Sequence, residues 1–438
     1  MDSGVGIGGR SKSIAEYTSS SLDYWSPVIV EKGVRKSYRT EIRPHSISSN
    51  DGPVEFHISQ DPEKFIDIKS LTLHGKVGIR VKQEGRWVMV GDHSNQQNFD
   101  IVNNFFQSLF SSVNMKVNDC EIGDVGSNTN AYHAYLQTLL SAPASGAGKH
   151  ILTQKGFTRD SNERKAQFLQ RSFVDFGISL HNDLMTCEKY IPPNTKISLT
   201  MRRTDDDFLI ITGDKNANQY KIFIEDLHIK VTLLEIYGDV LENHFKELKA
   251  AGGTLRIKYT QNSLKTFAVP KNSIEMKSHN LFFGSKLPNR VYVAFVEQNA
   301  FNGDSKLDPF NFEVANMREA CLIVNGVSEP NVPYTLESGT DEKELYFSFL
   351  ENTGSSPYEM ESVDVSFDEY YNGKFVLAWD RSPTKDNGLY THKQDGGSMS
   401  VRVRCKYPLQ KNYMVLVFAS YDSTLIFVED KVISESIV

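Results

Sequence analysis

Cysteine is scarce in this chain of 438 residues, and the four present are widely separated: Cys120, Cys187, Cys321 and Cys405. No C-x-x-C pair occurs, which argues against a zinc ribbon, a redox dithiol or a disulfide-stapled mini-fold. The four thiols read as small buried hydrophobes. Long apolar runs are missing too. No stretch approaches the 18 residues a membrane helix needs, and the N-terminal region carries no apolar signal core. No Asn-x-Ser/Thr sequon is present. The expectation is a protein made and used inside a cell, without a transmembrane segment. Positive charge is in deficit: 48 Lys and Arg face 55 Asp and Glu, a formal net charge of −7. That balance argues against a surface dominated by nucleic-acid binding.

Catalytic signatures are equally thin. There is no H-E-x-x-H, no G-x-S-x-G and no G-x-x-x-x-G-K-[ST] among these residues. Gly4, Gly6 and Gly9 match a dinucleotide-binding string, but no strand precedes them and no helix follows. The 11 histidines are scattered, with His74 and His228 in strand patterns facing polar positions. Two acidic groups come nearest to chemistry. Glu359, Glu361, Asp364, Asp368 and Glu369 could form a glycosidase pair, although strand edges and turns account for them equally well. Asp205, Asp206 and Asp207 could contribute oxygens to Ca²⁺, but no second acidic loop can be set beside them. The basic group Lys155, Arg159, Arg164, Lys165 and Arg171 is diluted by Asp160 and Glu163 and lacks interleaved aromatics. It predicts a local patch at most.

What the chain does have is aromatic and alternating. It contains 26 Phe and 19 Tyr, residues that suit a pleated, half-buried surface. Residues 1–24 are rich in Gly and Ser and read as a mobile tail. Residues 31–43 read as a short, solvated basic arm. Strand periodicity follows at Val54/Phe56/Ile58, at Leu71/Leu73 and Val77/Ile79/Val81, and at Ile197/Leu199/Met201. Residues 104–117 fit a short helix running into a strand. Residues 220–236 form a long strand whose inward face switches at Glu225-Asp226, the mark of a bulge. Residues 129–141 form an amphipathic helix, with Tyr132, Tyr135, Leu136, Leu139 and Leu140 on one stripe. Thr129 or Asn130 can cap it, and Ala142-Pro143 stops it. Residues 142–171 read as a long surface loop or tower.

A second helix divides the chain. Asp239 and Glu242 have capping-box spacing, Leu241, Phe245 and Leu248 share a face, and Gly252-Gly253 ends it. The stripe is expected to pack against a sandwich and clamp the two halves. Beyond it, turn pairs recur at Asn302-Gly303, Asn325-Gly326, Asn372-Gly373 and Asn387-Gly388. A half-buried strand at Val291/Val293/Phe295 precedes the first of these pairs, and further alternating segments follow at Val363/Val365/Phe367, Phe375/Leu377 and Val401/Val403/Cys405. SLTMRRT before YKIFIEDLHIKVTLLE resembles SVRVRCK before YMVLVFASYDSTLIFVE. The pairing predicts two copies of one sandwich. The fold class is therefore all-β with a few short helices, in two tandem jelly rolls. Residues 1–49 form the tail and arm, 50–236 the first jelly roll, 237–253 the linking helix, and 254–438 the second jelly roll with its C-terminal tail.

Two strings carry a family resemblance. Ala134, Tyr135, Leu136, Thr138, Leu139, Leu140 and Ser141 match a helix often written YPYRAYIETLLSY, with Ala-Tyr-His at 131–133 departing from Pro-Tyr-Arg. Leu281, Phe282, Phe283, Gly284, Leu287, Pro288, Arg290, Val291 and Val293 match the first part of a second string. Ala300, Phe301, Asn302, Gly303, Pro309, Phe310, Asn311 and Phe312 continue it through AFNG and PFNF. Both strings resemble the major capsid proteins of Polinton (Maverick) elements and adintoviruses, related in architecture to virophage capsid proteins and adenovirus hexon. The resemblance implies a double jelly roll that forms pseudo-hexameric homotrimers and tiles an icosahedral virion. It also implies contacts with neighbouring capsomers and with a single jelly-roll penton protein. No catalytic, cofactor-binding or metal residue is assigned, and neither an enzymatic activity nor sequence-specific nucleic-acid binding is implied. The alternative is a β-sandwich ligand- or carbohydrate-binding module or a glycosidase, which fold alone would permit.

Overall fold

The computed structural model describes residues 31–45, 52–58, 61–90, 99–123, 129–141, 156–158, 161–212, 219–279, 281–353, 363–383, 395–428 and 431–436. The first half contains β1 (Val34–Ile42), β2 (Val54–Ile58), β3 (Lys64–Gln83), β4 (Arg86–Met89), β5 (Phe99–Ile101), β6 (Phe110–Val117), β7 (Cys120–Ile122), β8 (Val174–Ser179), β9 (Ile197–Arg203), β10 (Ile210–Thr212) and β11 (Tyr220–Ile236). Its helices are α1 (Phe105–Ser108), α2 (Asn130–Ser141), α3 (Ser161–Gln170) and α4 (Asp206–Leu209). A linking helix, α5 (Gly238–Ala250), leads into the second half. There the strands are β12 (Thr254–Val269), β13 (Glu275–Lys277), β14 (Phe282–Gly284), β15 (Arg290–Glu297), β16 (Met317–Val324), β17 (Val327–Thr335), β18 (Val376–Asp380), β19 (Gly397–Cys405), β20 (Tyr413–Val428) and β21 (Lys431–Ser436). Its helices are α6 (Gln298–Phe301), α7 (Gly339–Asn352) and α8 (Phe367–Tyr371).

Both halves use one strand order. In the first, β1-β11-β3, with β8 also on β3, packs with β2-β9-β6-β7. In the second, β12-β20-β15-β18 packs with β13-β19-β16-β17. If the eight principal strands of each half are counted along the chain, both sheets read 1-8-3-6 and 2-7-4-5. All these ladders are antiparallel, and each sheet turns one apolar face inward. Ile197, Leu199 and Met201 of β9 are essentially inaccessible, as are Val401 and Val403 of β19. The bulge in β11 is present. Its register jumps between Glu225 and His228, and Asp226 takes a positive φ of 51°. The extra residue moves the inward set from Ile222 to Ile229, Val231 and Leu233. Beside the bulge, His74 and His228 stack on each other, 5.4 Å between centroids, rather than facing separate polar positions.

Four expectations are corrected. Residues 34–42 are not a solvated arm but edge strand β1, paired with β11 from Val34↔Ile236 to Ile42↔Ile229. Tyr38, Thr40 and Ile42 turn inward while Arg39 and Glu41 face water; outward charge of this kind protects an open sheet edge. Residues 142–171 are not all surface loop, because α3 lies within them and buries Arg164 and Phe168. Val363, Val365 and Phe367 do not form one strand. Ser366 and Glu369 form a capping box that starts α8 at Phe367, and the helix cap overrides the two-residue alternation. β15 is not half-buried: Val291 through Val296 are all buried, because its second face is also covered.

The linking helix also differs from expectation. Its N-cap is Tyr237, with no side-chain cap, so Asp239 falls inside the first turn and makes no capping box. Glu242 instead pairs with Lys246 at 2.8 Å. The glycine stop forms as expected. Gly252 and Gly253 have φ of +70° and +76°, and their amides donate to Lys249 and Leu248 carbonyls at 3.2 and 2.8 Å. No residue of this helix is buried, and Phe245 is 55% exposed. The stripe does not clamp the two halves. Gly4, Gly6, Gly9, Ala142-Pro143 and Asn387-Gly388 lie outside the described residues.

Candidate functional site

The two halves meet along a seam built from the most distinctive strings of the sequence. Helix α2 runs between β7 and β8, and its 3.6-residue stripe brings Tyr132 and Tyr135 to the same face. The loop that opens with α6, after β15, carries Phe301, Phe310 and Phe312. Asp308 starts a tight turn in this loop by accepting the Phe310 amide at 2.9 Å. The rings interlock. Tyr135 stacks on Phe310 at 4.2 Å, and Tyr132 stacks on Phe301 at 5.2 Å. Tyr132 meets Phe310 edge-on at 5.5 Å, and Phe312 meets Tyr135 edge-on at 5.6 Å. Phe208 of α4 closes the cluster, 6.0 Å from Phe310. Tyr132, Tyr135, Phe310 and Phe312 are each at most 3% exposed. Burial pushes both tyrosine hydroxyls above their usual range. Among the described residues the hydroxyl of Tyr132 has no hydrogen-bond partner.

Polar contacts flank the rings. The Asn262 side-chain amide donates to Asp183 at 2.9 Å. The Thr260 amide donates to the Thr186 hydroxyl at 2.8 Å. The Thr212 amide donates to the Ser305 carbonyl at 2.6 Å. His133 packs edge-on against Phe418 of β20 at 5.2 Å, and burial draws its pKa down to about 4. Phe418 lies beside Tyr292 of β15 in the same sheet, and the Tyr292 hydroxyl donates to the Asn352 carbonyl of α7 at 3.4 Å, so this second face of the strand is covered too. One sheet of the second half thus serves two cores, its own and the seam.

The other candidate residues take structural roles. Arg164 of the basic group is buried and donates to the Ile101 and Thr158 carbonyls at 2.9 and 2.7 Å. Lys165 sits 4.9 Å over the Phe99 ring, and Arg171 is exposed. The group therefore forms no phosphate-facing patch among the described residues; Lys155 and Arg159 lie outside them. Of the acidic group, Glu359 and Glu361 lie outside the described residues. Asp368 and Glu369 belong to the first turn of α8, and Asp364 precedes it. Burial acts to raise Glu369, but the Ser366 amide and Lys374 hold its carboxyl below the usual range. Asp205, Asp206 and Asp207 line an 870 Å³ cleft at the edge of the seam, with Trp87, Tyr220 and Asn302. Asp206 is paired with Arg203 at 2.8 Å, and burial raises its pKa despite that charge. Among the described residues no three His, Cys, Asp or Glu side chains converge as a metal site. Cys187, Cys321 and Cys405 are buried free thiols, with Cys187 pushed up to about 12. No described helix is long and apolar enough to cross a membrane.

Comparison with known proteins places this geometry. The Sputnik virophage structure determined by cryo-EM superimposes with a TM-score of 0.62 at 11% identity, covering 97% of this chain and 93% of that one. The fold is a double jelly roll. The mavirus major capsid protein matches this double jelly roll with a TM-score of 0.52 at 11% identity, over 100% of this chain and 97% of that one. The PBCV-1 virus capsid matches at 0.57 and 8% identity, over 95% and 100%. In sequence, the uncharacterized protein F54H12.2 of Caenorhabditis elegans is 22% identical over 408 residues, 89% of this chain and 94% of that protein. No protein-family model matches the chain.

Sequence reasoning missed the polar contacts of the seam. Thr186, Asp183, Thr212 and Asn262 are ordinary residues in ordinary loops or strands, and nothing local marks their partners. The excess of aromatics in α2 and in the AFNG and PFNF segments was visible, but their mutual contact was not.

Proposed function

We propose that this chain is the major shell protein of an icosahedral particle, acting as a homotrimer. The observation that carries the reading is the fixed pairing of two sandwiches with one strand order, in a fold shared with the virophage structure over nearly its whole length. A two-lobed block has a direct geometric use. Three such blocks around a threefold axis present six similar lobes, a pseudo-hexagonal tile that paves a flat facet from one polypeptide. The lobes are residues 34–236 and 254–436, with 237–253 as the link. Function lies in surface complementarity, so the protein performs no turnover and has no sequence-specific hold on nucleic acid. The strings at 134–141 and 281–312 favour the Polinton and adintovirus type, with a single jelly-roll penton protein at the vertices and assembly inside a host cell.

The test is the assembly state. The chain, 49.5 kDa as a monomer, is expressed alone and with a vertex partner, then measured by mass photometry and negative-stain electron microscopy. Trimers with six-lobed projections are expected. A chain that stays monomeric at micromolar concentration would overturn the reading.

A further inference from the structure

Helix α5 presents Leu241, Phe245 and Leu248 to a groove of 310 Å³, whose far wall includes Phe65, Pro192 and Phe427. That volume is about ten times the share of one molecule in liquid water. A helix of this length is marginal in water unless an apolar face packs against something. Yet no residue of α5 is buried, and Phe245 and Tyr237 remain 55% and 43% exposed.

The chain carries suitable cover close by. The described residues begin at Glu31, so thirty residues precede them. The Gly33 carbonyl accepts the amide of Tyr237, the N-cap of α5, at 3.4 Å. The first described residues therefore lie at the head of the groove, and residues 22–30 are joined directly to them. Residues 22–30 read LDYWSPVIV, with Asp23 the one charged residue. The distances suit a single chain. Phe65 lies on β3, two strands over from β1, which is about 10 Å. Leu241 to Leu248 spans about 10 Å along the helix. Nine extended residues reach about 30 Å, enough for both.

We propose that residues 22–30 of the same chain dock in this groove and cover the Leu241, Phe245 and Leu248 stripe, with Trp25 as the anchoring side chain. The segment matches the groove in apolar character, and its covalent junction at Glu31 removes any need for exchange between copies. The proposal does not rest on the shell reading.

The test is site-specific photo-cross-linking in the full-length chain, with p-benzoylphenylalanine in place of Phe245. Phe245 is largely solvent-exposed, so the replacement leaves both cores intact. The expected product migrates as a single chain on a denaturing gel, and mass spectrometry maps the link to residues 22–30. The yield should fall at least five-fold in the Trp25→Asp, Ile29→Asp background. Links joining two chains, links to any other segment, or no link at all would overturn the proposal. As a second readout, amide exchange of residues 238–250 should accelerate about ten-fold in the Trp25→Asp, Ile29→Asp chain; unchanged exchange would also overturn it. A chain that stays monomeric but gives the intramolecular link defeats the trimer reading and leaves this one standing.

Discussion

Phe310→Ala should uncouple the two lobes before it unfolds either of them. The ring is 2% exposed and stacks on Tyr135 at 4.2 Å, with Tyr132 and Phe208 edge-on at 5.5 and 6.0 Å. Burying a phenylalanine ring and then deleting it costs about 3–5 kcal/mol, including the cavity left behind. The ring contacts account for roughly 0.5–1.5 kcal/mol per aromatic pair within that range. Phe295 gives the control. It is equally buried and rests against Phe375, inside the second sandwich. Phe295→Ala should cost a similar ~3–5 kcal/mol but lower the second lobe alone. The assay is differential scanning calorimetry with limited proteolysis between the halves. The wild-type chain should melt in one transition. Phe310→Ala should split it into two, with early cleavage near α5. A Phe310→Ala protein that melts in one transition within about 1 kcal/mol of wild type would refute the idea that the seam locks the lobes.

Three further outcomes follow from the same geometry. His133 has a folded pKa near 4, below its unfolded value of about 6.5, so the unfolded chain binds the proton first as pH falls. Its contribution is complete above about pH 6.5 and is lost progressively toward pH 4, by roughly 3 kcal/mol in all. Urea melts of wild type and His133→Gln between pH 7 and 4 should converge, and parallel slopes would count against this. Tyr132→Phe removes a buried hydroxyl that has no partner among the described residues, so stability should stay level or rise by up to ~1 kcal/mol; a loss above 1 kcal/mol in a urea melt would show that the hydroxyl is used. Arg164→Met strips two charged donors from the Ile101 and Thr158 carbonyls and should cost about 2–4 kcal/mol, whereas exposed Arg171→Met should fall within ~0.5 kcal/mol.

Much of the sandwich was legible because local periodicity and burial agree. β9, β19 and α2 announce themselves through alternation or a 3.6-residue stripe, and the β11 bulge shows as a break in parity. Legibility fails where an element is half-solvated or its partner is distant. β1 carries Arg35, Lys36, Arg39 and Arg43 in or beside an edge strand, and charge on that scale reads as an arm. Val363, Val365 and Phe367 satisfy a strand pattern, yet the Ser366 cap decides the conformation at Phe367. Phe245 matches a helix stripe, and a stripe does not reveal whether its partner lies in the same fold. Arg164 looked like surface charge because no local signal marks the Ile101 carbonyl, 63 residues away, as its acceptor. At the seam, both sets of aromatics were visible, but their contact joins residues about 175 positions apart, beyond any periodicity argument.

The joint between the lobes has a direction. The lobes share one strand order, yet they do not meet through equivalent surfaces. The helix after the fifth principal strand of one enters the loop after the third principal strand of the other. Such a contact is head-to-tail, with a donor side and an acceptor side, and it cannot satisfy itself about a twofold axis. A repeat joined in this sense forms a ring when its rotation closes and an open filament when it does not; in the proposed trimer, three chains would supply a closed sixfold alternation of first and second lobes. In the proposed shell, the handedness of a facet would then be set inside each polypeptide, before any two chains have met.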